Sequence, residues 1–261
     1  MTSKPSAEQQ ATVESLLQAA KRPTERVNVR HSFVQGGSQG KPVPGPLHRM
    51  LAAHDERALD LFLLHRALVS AEPWTSRPLD SRVWARALGL HHDADQGVTA
   101  VSKAWRRLEG TYRLVDRGRS GRLTVLTSLR EDGTGKAYTS PNGGTRAERY
   151  FTLPFDYWTG EQRWYTTLTF PAKVMLLVSS TLKPGFVLPT EKARDWYGVS
   201  TESAERGPRL LRESGLLERA TRVKDAPLSP TGKTQEYHYT LKRPYGRSGR
   251  PKLTVIGAVA S

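Results

Sequence analysis

Donor side chains recur at helical spacing in two stretches of this chain. Gln96, Thr99, Ser102, Lys103, Arg106 and Arg107 form one group; Thr201, Ser203, Arg206 and Arg209 form the other. Amides, hydroxyls and cations of this kind hydrogen-bond phosphate oxygens, and arginine or glutamine can hold the edge of a planar base through two bonds at once. Glu202 and Glu205 share the outward side of the second group. They repel phosphates, although a glutamate can accept from the amino group of cytosine. Glycine-containing turns carry more cations. Arg117-Gly118-Arg119-Ser120-Gly121-Arg122 is a compact basic tip, and Arg119 and Arg122 suit a narrow electronegative groove, with a merely solvated turn as the alternative. Lys224 and Lys233 bracket a polar loop, and Arg247 and Arg250 flank Gly249 in a basic tail.

Catalytic chemistry has no comparable set. His91-His92-Asp93-Ala94-Asp95 is the one cluster that invites a metal, but adjacent histidines point apart on most backbones, so it reads as a turn and a cap. The sequence has neither a Gly-x-x-x-x-Gly-Lys-Ser/Thr phosphate loop nor a Gly-x-Ser-x-Gly elbow, and Glu109 and Glu218 fall at element ends as surface charges. The expectation is a protein that is not an enzyme, with no catalytic residues, no metal ligands and no cofactor.

Two similar successions of elements must position the donors. In the downstream one, Leu168 to Leu241, Pro171 at a first-turn position followed by strong helix formers to Val178 predicts a helix that Pro184-Gly185 stops. Phe186-Val187-Leu188 is apolar and of strand length, and Pro189-Thr190-Glu191 opens a short helix ending near Trp196-Tyr197. Gly198-Val199 turns the chain and Ser200 caps a third helix, whose buried side holds Ala204, Pro208 and Leu211. Pro208 removes a helical bond and crowds the Ala204 carbonyl, so this helix is expected to kink or to be short. Arg219 to Val223 and Gln235 to Leu241 then alternate as two strands of a hairpin, with Tyr237 and Tyr239 on one side and His238 on the other.

The upstream succession, Arg49 to Leu129, follows the same order. Asp55-Glu56 opens a helix reaching about Val69, Trp74 to Pro78 is a connector, and Asp80 caps a short helix over Ser81 to Leu88 that Gly89-Leu90 ends. A third helix over Asp95 to Leu108 buries Val98, Val101, Trp105 and Leu108 and turns the first donor group outward or toward its rim. Tyr112 to Asp116 and Leu123 to Thr127 are strands around the arginine tip.

The order helix, short strand, helix, turn, helix, hairpin resembles tandem winged helix-turn-helix DNA-binding proteins of bacterial, actinobacterial plasmid or phage type; Val199-Ser200 through Gly215-Leu216-Leu217 carries the likeness. The resemblance implies an α+β, helix-rich fold with two winged-helix domains, each of three helices plus a β-hairpin, and flexible basic tails. It also implies that the third helix of each domain enters a major groove while the hairpin wing touches backbone or minor groove. Arg247-Ser248-Gly249-Arg250-Pro251-Lys252 partly matches the Gly-Arg-Pro core of AT-hooks, with Ser248 where a basic residue is expected. The implied function is a sequence-specific double-stranded DNA-binding transcriptional regulator reading a bipartite site. Alternatives are a plasmid or phage replication initiator binding origin repeats, and an adaptor whose winged helices bind a protein partner such as polymerase or a nucleoprotein complex.

Composition agrees with a polyanionic partner. Lys and Arg number 40 against 25 Asp and Glu, giving +15 over 261 residues, and the excess is spread over both modules and both tails. A membrane partner is set aside because no run of about 18 apolar residues occurs. The lack of cysteine excludes disulfides and thiolate chemistry, and no signal peptide opens the chain, so a cytoplasmic, nucleoid-associated protein is expected. Domain organisation follows: an arm with a possible short helix (1–47), winged helix 1 (48–130), a flexible linker (131–149), winged helix 2 with an aromatic lead-in (150–243) and a basic tail (244–261). Ser6 to Lys21 has Val13, Leu16, Leu17 and Ala20 on one helical face, either as a frayed terminus or as a docking arm. Gln35 to Gly40 has the composition of flexible linker. The aromatic block Tyr150 to Trp158 is expected to pack on a module rather than stack on bases. Oligomeric state is left open.

Overall fold

Ser6 accepts a hydrogen bond from the Gln9 amide at 3.1 Å and so starts α1 (Ala7–Ala19), whose Val13, Leu16 and Leu17 are buried. The structure, a computed structural model, describes residues 5–38, 40–90 and 94–246. Arg247, Arg250 and the rest of the tail, and His91, His92 and Asp93 of the acidic-histidine cluster, lie outside the described residues. The terminal helix is docked: Gln9 Nε2 donates to the Ala87 carbonyl at 3.1 Å, and the Tyr165 hydroxyl donates to Gln10 Oε1 at 3.2 Å. Then come β1 (Arg26–Arg30), a 3-10 turn (His31–Phe33), β2 (Gln35–Ser38), β3 (Lys41–Pro44) and α2 (Pro46–Ala52). The stretch from Gln35, expected to be flexible linker, is a correction. Gln35 pairs with Pro44 and Ser38 with Lys41, so its glycines serve a hairpin rather than a tether.

The upstream helices are α3 (Glu56–Leu68), α4 (Ser81–Ala87) and α5 (Ala94–Gly110), followed by the hairpin β4 (Val115–Ser120) and β5 (Leu123–Ser128). Asp55 accepts from the Ala58 amide and Asp80 from the Arg82 amide, satisfying donors that a helix start leaves open. α5 buries Val101, Ala104, Trp105 and Leu108, with Trp105 edge-on to Trp84 of α4; Val98 is only half-buried. Trp74 to Pro78 is more than a connector. Isolated bridges join Thr75 to Thr127 and Leu79 to Thr124, so this segment lies against β5.

The stretch 131–149 is also corrected from linker to framework. Arg130 N donates to the Lys136 carbonyl, Tyr138 is buried, and a 3-10 turn spans Arg146–Glu148. Its anchor is Arg30, whose guanidinium meets Glu131 at 2.6 Å with both side chains wholly buried, and Glu148 at 2.8 Å. Burial alone would lower the Arg30 pKa; the two carboxylates outweigh it and raise the pKa. β6 (Tyr150–Pro154) then pairs antiparallel with β1, Arg30 opposite Tyr150 and Arg26 opposite Pro154. The aromatic block continues into α6 (Asp156–Thr159), with Phe151, Phe155, Tyr157 and Trp158 buried, and α7 (Trp164–Thr167) follows.

The downstream elements are α8 (Phe170–Thr181), α9 (Thr190–Tyr197), α10 (Thr201–Glu213), β7 (Leu217–Asp225) and β8 (Lys233–Leu241). Gly198 turns between α9 and α10 at φ +65°, with His48 of α2 where a Cβ would go. Phe186 bridges Tyr239, so here too the connector after the first helix adds to the hairpin. α10 runs through Pro208 to Glu213, against the expectation of a shortened helix. Gly207 and Pro208 are both buried, and a Cβ on Gly207 would lie 2.1 Å from Met175 Cγ of α8. This close seat and the burial of the proline ring offset the lost helical bond.

Apolar side chains from both halves join one continuous core, which corrects the expectation of two compact domains on a flexible linker. An ion cluster around the buried Lys173 adds to the contact: its Nζ on α8 reaches the partly exposed Asp60 and Glu56 of α3, each at 2.8 Å. Burial, reinforced by Glu56, raises the Asp60 pKa to about 6 despite Lys173.

His65 of α3 supplies the opposite pH dependence. Burial, with Arg66 adjoining, lowers its pKa to about 3, and its Nδ1 has no partner. The unfolded chain takes up a proton near pH 6.5 that the folded chain refuses, so this contribution to stability is whole above pH 6.5 and is lost as pH falls toward 3. Asp60 acts in reverse between its ordinary value and about 6, and is common to wild type and variant. The stability difference between wild type and His65→Gln should therefore change by up to about 1.4 kcal/mol per pH unit between pH 6 and 4. Urea unfolding across that range measures it, and parallel curves would disprove a neutral buried imidazole.

Candidate nucleic-acid interface

The periodicity that buries Trp105 and Leu108 turns the opposite face of α5 to solvent. Gln96, Thr99, Lys103 and Arg106 are exposed there, and Ser102 is half-buried. Among the described residues Lys103 and Arg106 have no carboxylate partner. Arg57 at the start of α3 joins Gln96, Thr99 and Lys103 along a groove of about 400 Å3.

Asp95 and Arg107 line the same groove, but Arg107, unlike Lys103, is engaged by a carboxylate. Its guanidinium is held by Asp55, Nη2 to Oδ1 at 2.6 Å, and the Tyr112 hydroxyl donates to the same carboxylate at 3.0 Å. The hydrogen bond to Asp55 raises the Arg107 pKa. Since Asp55 also caps α3, Arg107→Ala should lower unfolding free energy by about 1–2 kcal/mol, a charged hydrogen bond discounted for a half-exposed partner. Thermal or urea unfolding reads this, and an unchanged midpoint would return Arg107 to the donor face.

α10 presents Thr201, Glu202, Glu205, Arg206, Arg209 and Arg212 outward. Ser203 is half-buried and its amide donates to the Ser200 cap at 3.2 Å. Arg209 lies 3.8 Å from Glu213, a weak solvent-exposed pair. Arg206 and Arg212 carry no ion pair among the described residues. Arg212 was missed in the sequence, although its spacing of three from Arg209 signals it.

The hairpins differ in reach. β4 and β5 close tightly, Ser120 opposite Leu123, so Arg119 and Arg122 are exposed at the end. Arg117 is not part of the tip: it lies within β4 and its Nε meets Glu109 at 2.6 Å. The β7–β8 hairpin is longer and largely exposed. Lys233 and Arg222 are open on it, the latter another residue that sequence reasoning passed over. Lys224 is engaged by Glu236 at 2.6 Å, and Lys224, with His238 assisting, holds that carboxyl below its usual range. Arg219 lies over the Tyr237 ring at 4.4 Å.

No family, curated protein or solved structure matches the chain. The geometry therefore stands on its own. No group of three His, Cys, Asp or Glu among the described residues is placed to hold a metal, and none of their helices is long and apolar enough to cross a membrane.

Proposed function

We propose that the chain is a tandem winged helix-turn-helix protein that binds double-stranded DNA in a sequence-specific way, as a transcriptional regulator. One observation carries this reading. Each half repeats a helix, a connector bridged to the hairpin, a second helix and a third helix whose solvent face bears cations with no ion pair among the described residues, Lys103 and Arg106 in one and Arg206 and Arg212 in the other. A third helix of this kind fits a major groove, and the arginines at the β4–β5 end and along the longer hairpin are suited to phosphates or a narrow minor groove. Both halves contribute to one core, which supports reading of a bipartite site by one chain.

Selection from sheared genomic DNA at near-physiological salt, with sequencing of the retained fragments, tests the reading. Sharp peaks at promoters are expected. Clustered repeats beside an origin would make the chain a replication initiator, and flat recovery would overturn sequence reading and favour an adaptor that binds protein.

A further inference from the structure

A second basic feature lies away from the third helices. The β2 strand, the 3-10 turn Arg146–Glu148 with Arg149 after it, and the C-terminal end of α8 enclose a cleft of about 720 Å3. That volume falls within the roughly 300–1,000 Å3 typical of small-ligand sites. Arg146, Arg149 and Lys183 converge on it from two elements far apart in sequence, all three exposed and without a carboxylate partner among the described residues.

Nearby acids do not cancel this charge. Asp132, which lines the cleft with the three cations, is taken by Arg130 at 2.9 Å and by the Thr134 amide and hydroxyl. Glu148 is taken by Arg30 and Arg130. The negative end of α8 is blunted too, since the Thr181 hydroxyl donates to the Val178 carbonyl and the Leu182 amide to that of Ser179. Ser32 Oγ, also on the lining, is buried without a hydrogen-bond partner. A buried hydroxyl without a partner and three cations with no ion pair among the described residues line the same cleft, which is the chemistry of an anion site, and guanidinium pairs favour the fork geometry of phosphate.

We propose that this cleft binds a phosphate group. The ligand bridges the first half, the 146–149 segment and α8 of the second half, and Lys183 leads directly into the connector that joins the β7–β8 hairpin. The site does not depend on the proposed function of α5 and α10.

The test is calorimetric titration of the full chain with inorganic phosphate, pyrophosphate, ATP and a random 30-base-pair duplex, for wild type and for Arg146→Gln/Arg149→Gln/Lys183→Gln. Saturable one-to-one binding of pyrophosphate or ATP, weakened at least tenfold in the variant, is expected for a free phosphate compound. If the duplex alone weakens, with its salt slope falling by about 0.9 per lost contact, the phosphate belongs to DNA. Equal binding of every probe by the two proteins overturns the site. Unfolding midpoints verify that the variant folds, and Lys103→Ala/Arg106→Ala, outside the cleft, separates failure of this site from failure of DNA binding.

Discussion

Arg30→Met is expected to remove about 3–5 kcal/mol of unfolding free energy, the scale for breaking a buried pair by deleting one partner. Glu131 stays wholly buried after the substitution and loses its counter-charge. The same guanidinium donates to Glu148 and to the Thr139 carbonyl at 2.7 Å, so the 131–149 segment loses its fastening to β1. Since β1 pairs with β6, the loss falls on the junction between the halves. Urea unfolding followed by tryptophan fluorescence reads the single variants and the double Arg30→Met/Glu131→Met. The double variant should be less destabilised than the sum of the singles, because it leaves no orphaned charge at Glu131. Strict additivity would show that the pair does not act as a unit.

This network also marks where sequence reading stops. Helix starts at Asp55, Asp80 and Ser200 were legible because a cap and the amide it serves lie within three residues. The third helices were legible from the repeat of buried positions ending in Leu108 and Leu211. Arg30 and Glu131 are 101 residues apart, and no local pattern pairs them. The same holds for Arg107, which looked like a donor on α5 until the fold brought Asp55 to it from 52 residues away. Glycine misled in a different way. At Gly37, with φ +81°, its freedom is used by a tight hairpin, yet composition alone reads that freedom as slack. Pro208 misled for an energetic reason, because its cost in an isolated helix is offset by burial beside Gly207, which seats on Met175 of α8.

Lys103→Ala and Arg106→Ala should each weaken binding to the selected DNA by about 1–3 kcal/mol if the side chain contacts a base edge, and together should remove most discrimination against random sequence at those positions. Both side chains are exposed, so unfolding free energies should hold within about 0.5 kcal/mol, unlike that of Arg107→Ala. Fluorescence anisotropy at several salt concentrations, on specific and random duplexes, separates the two ways these cations can act. A base contact costs affinity for the specific duplex alone, whereas a phosphate contact weakens both duplexes alike and lowers the salt slope by about 0.9. Loss on both duplexes in equal measure would move sequence reading from α5 to α10, where Arg206→Ala and Arg212→Ala should then carry the discrimination. Unchanged binding on both duplexes for all four variants would remove the third helices from DNA altogether.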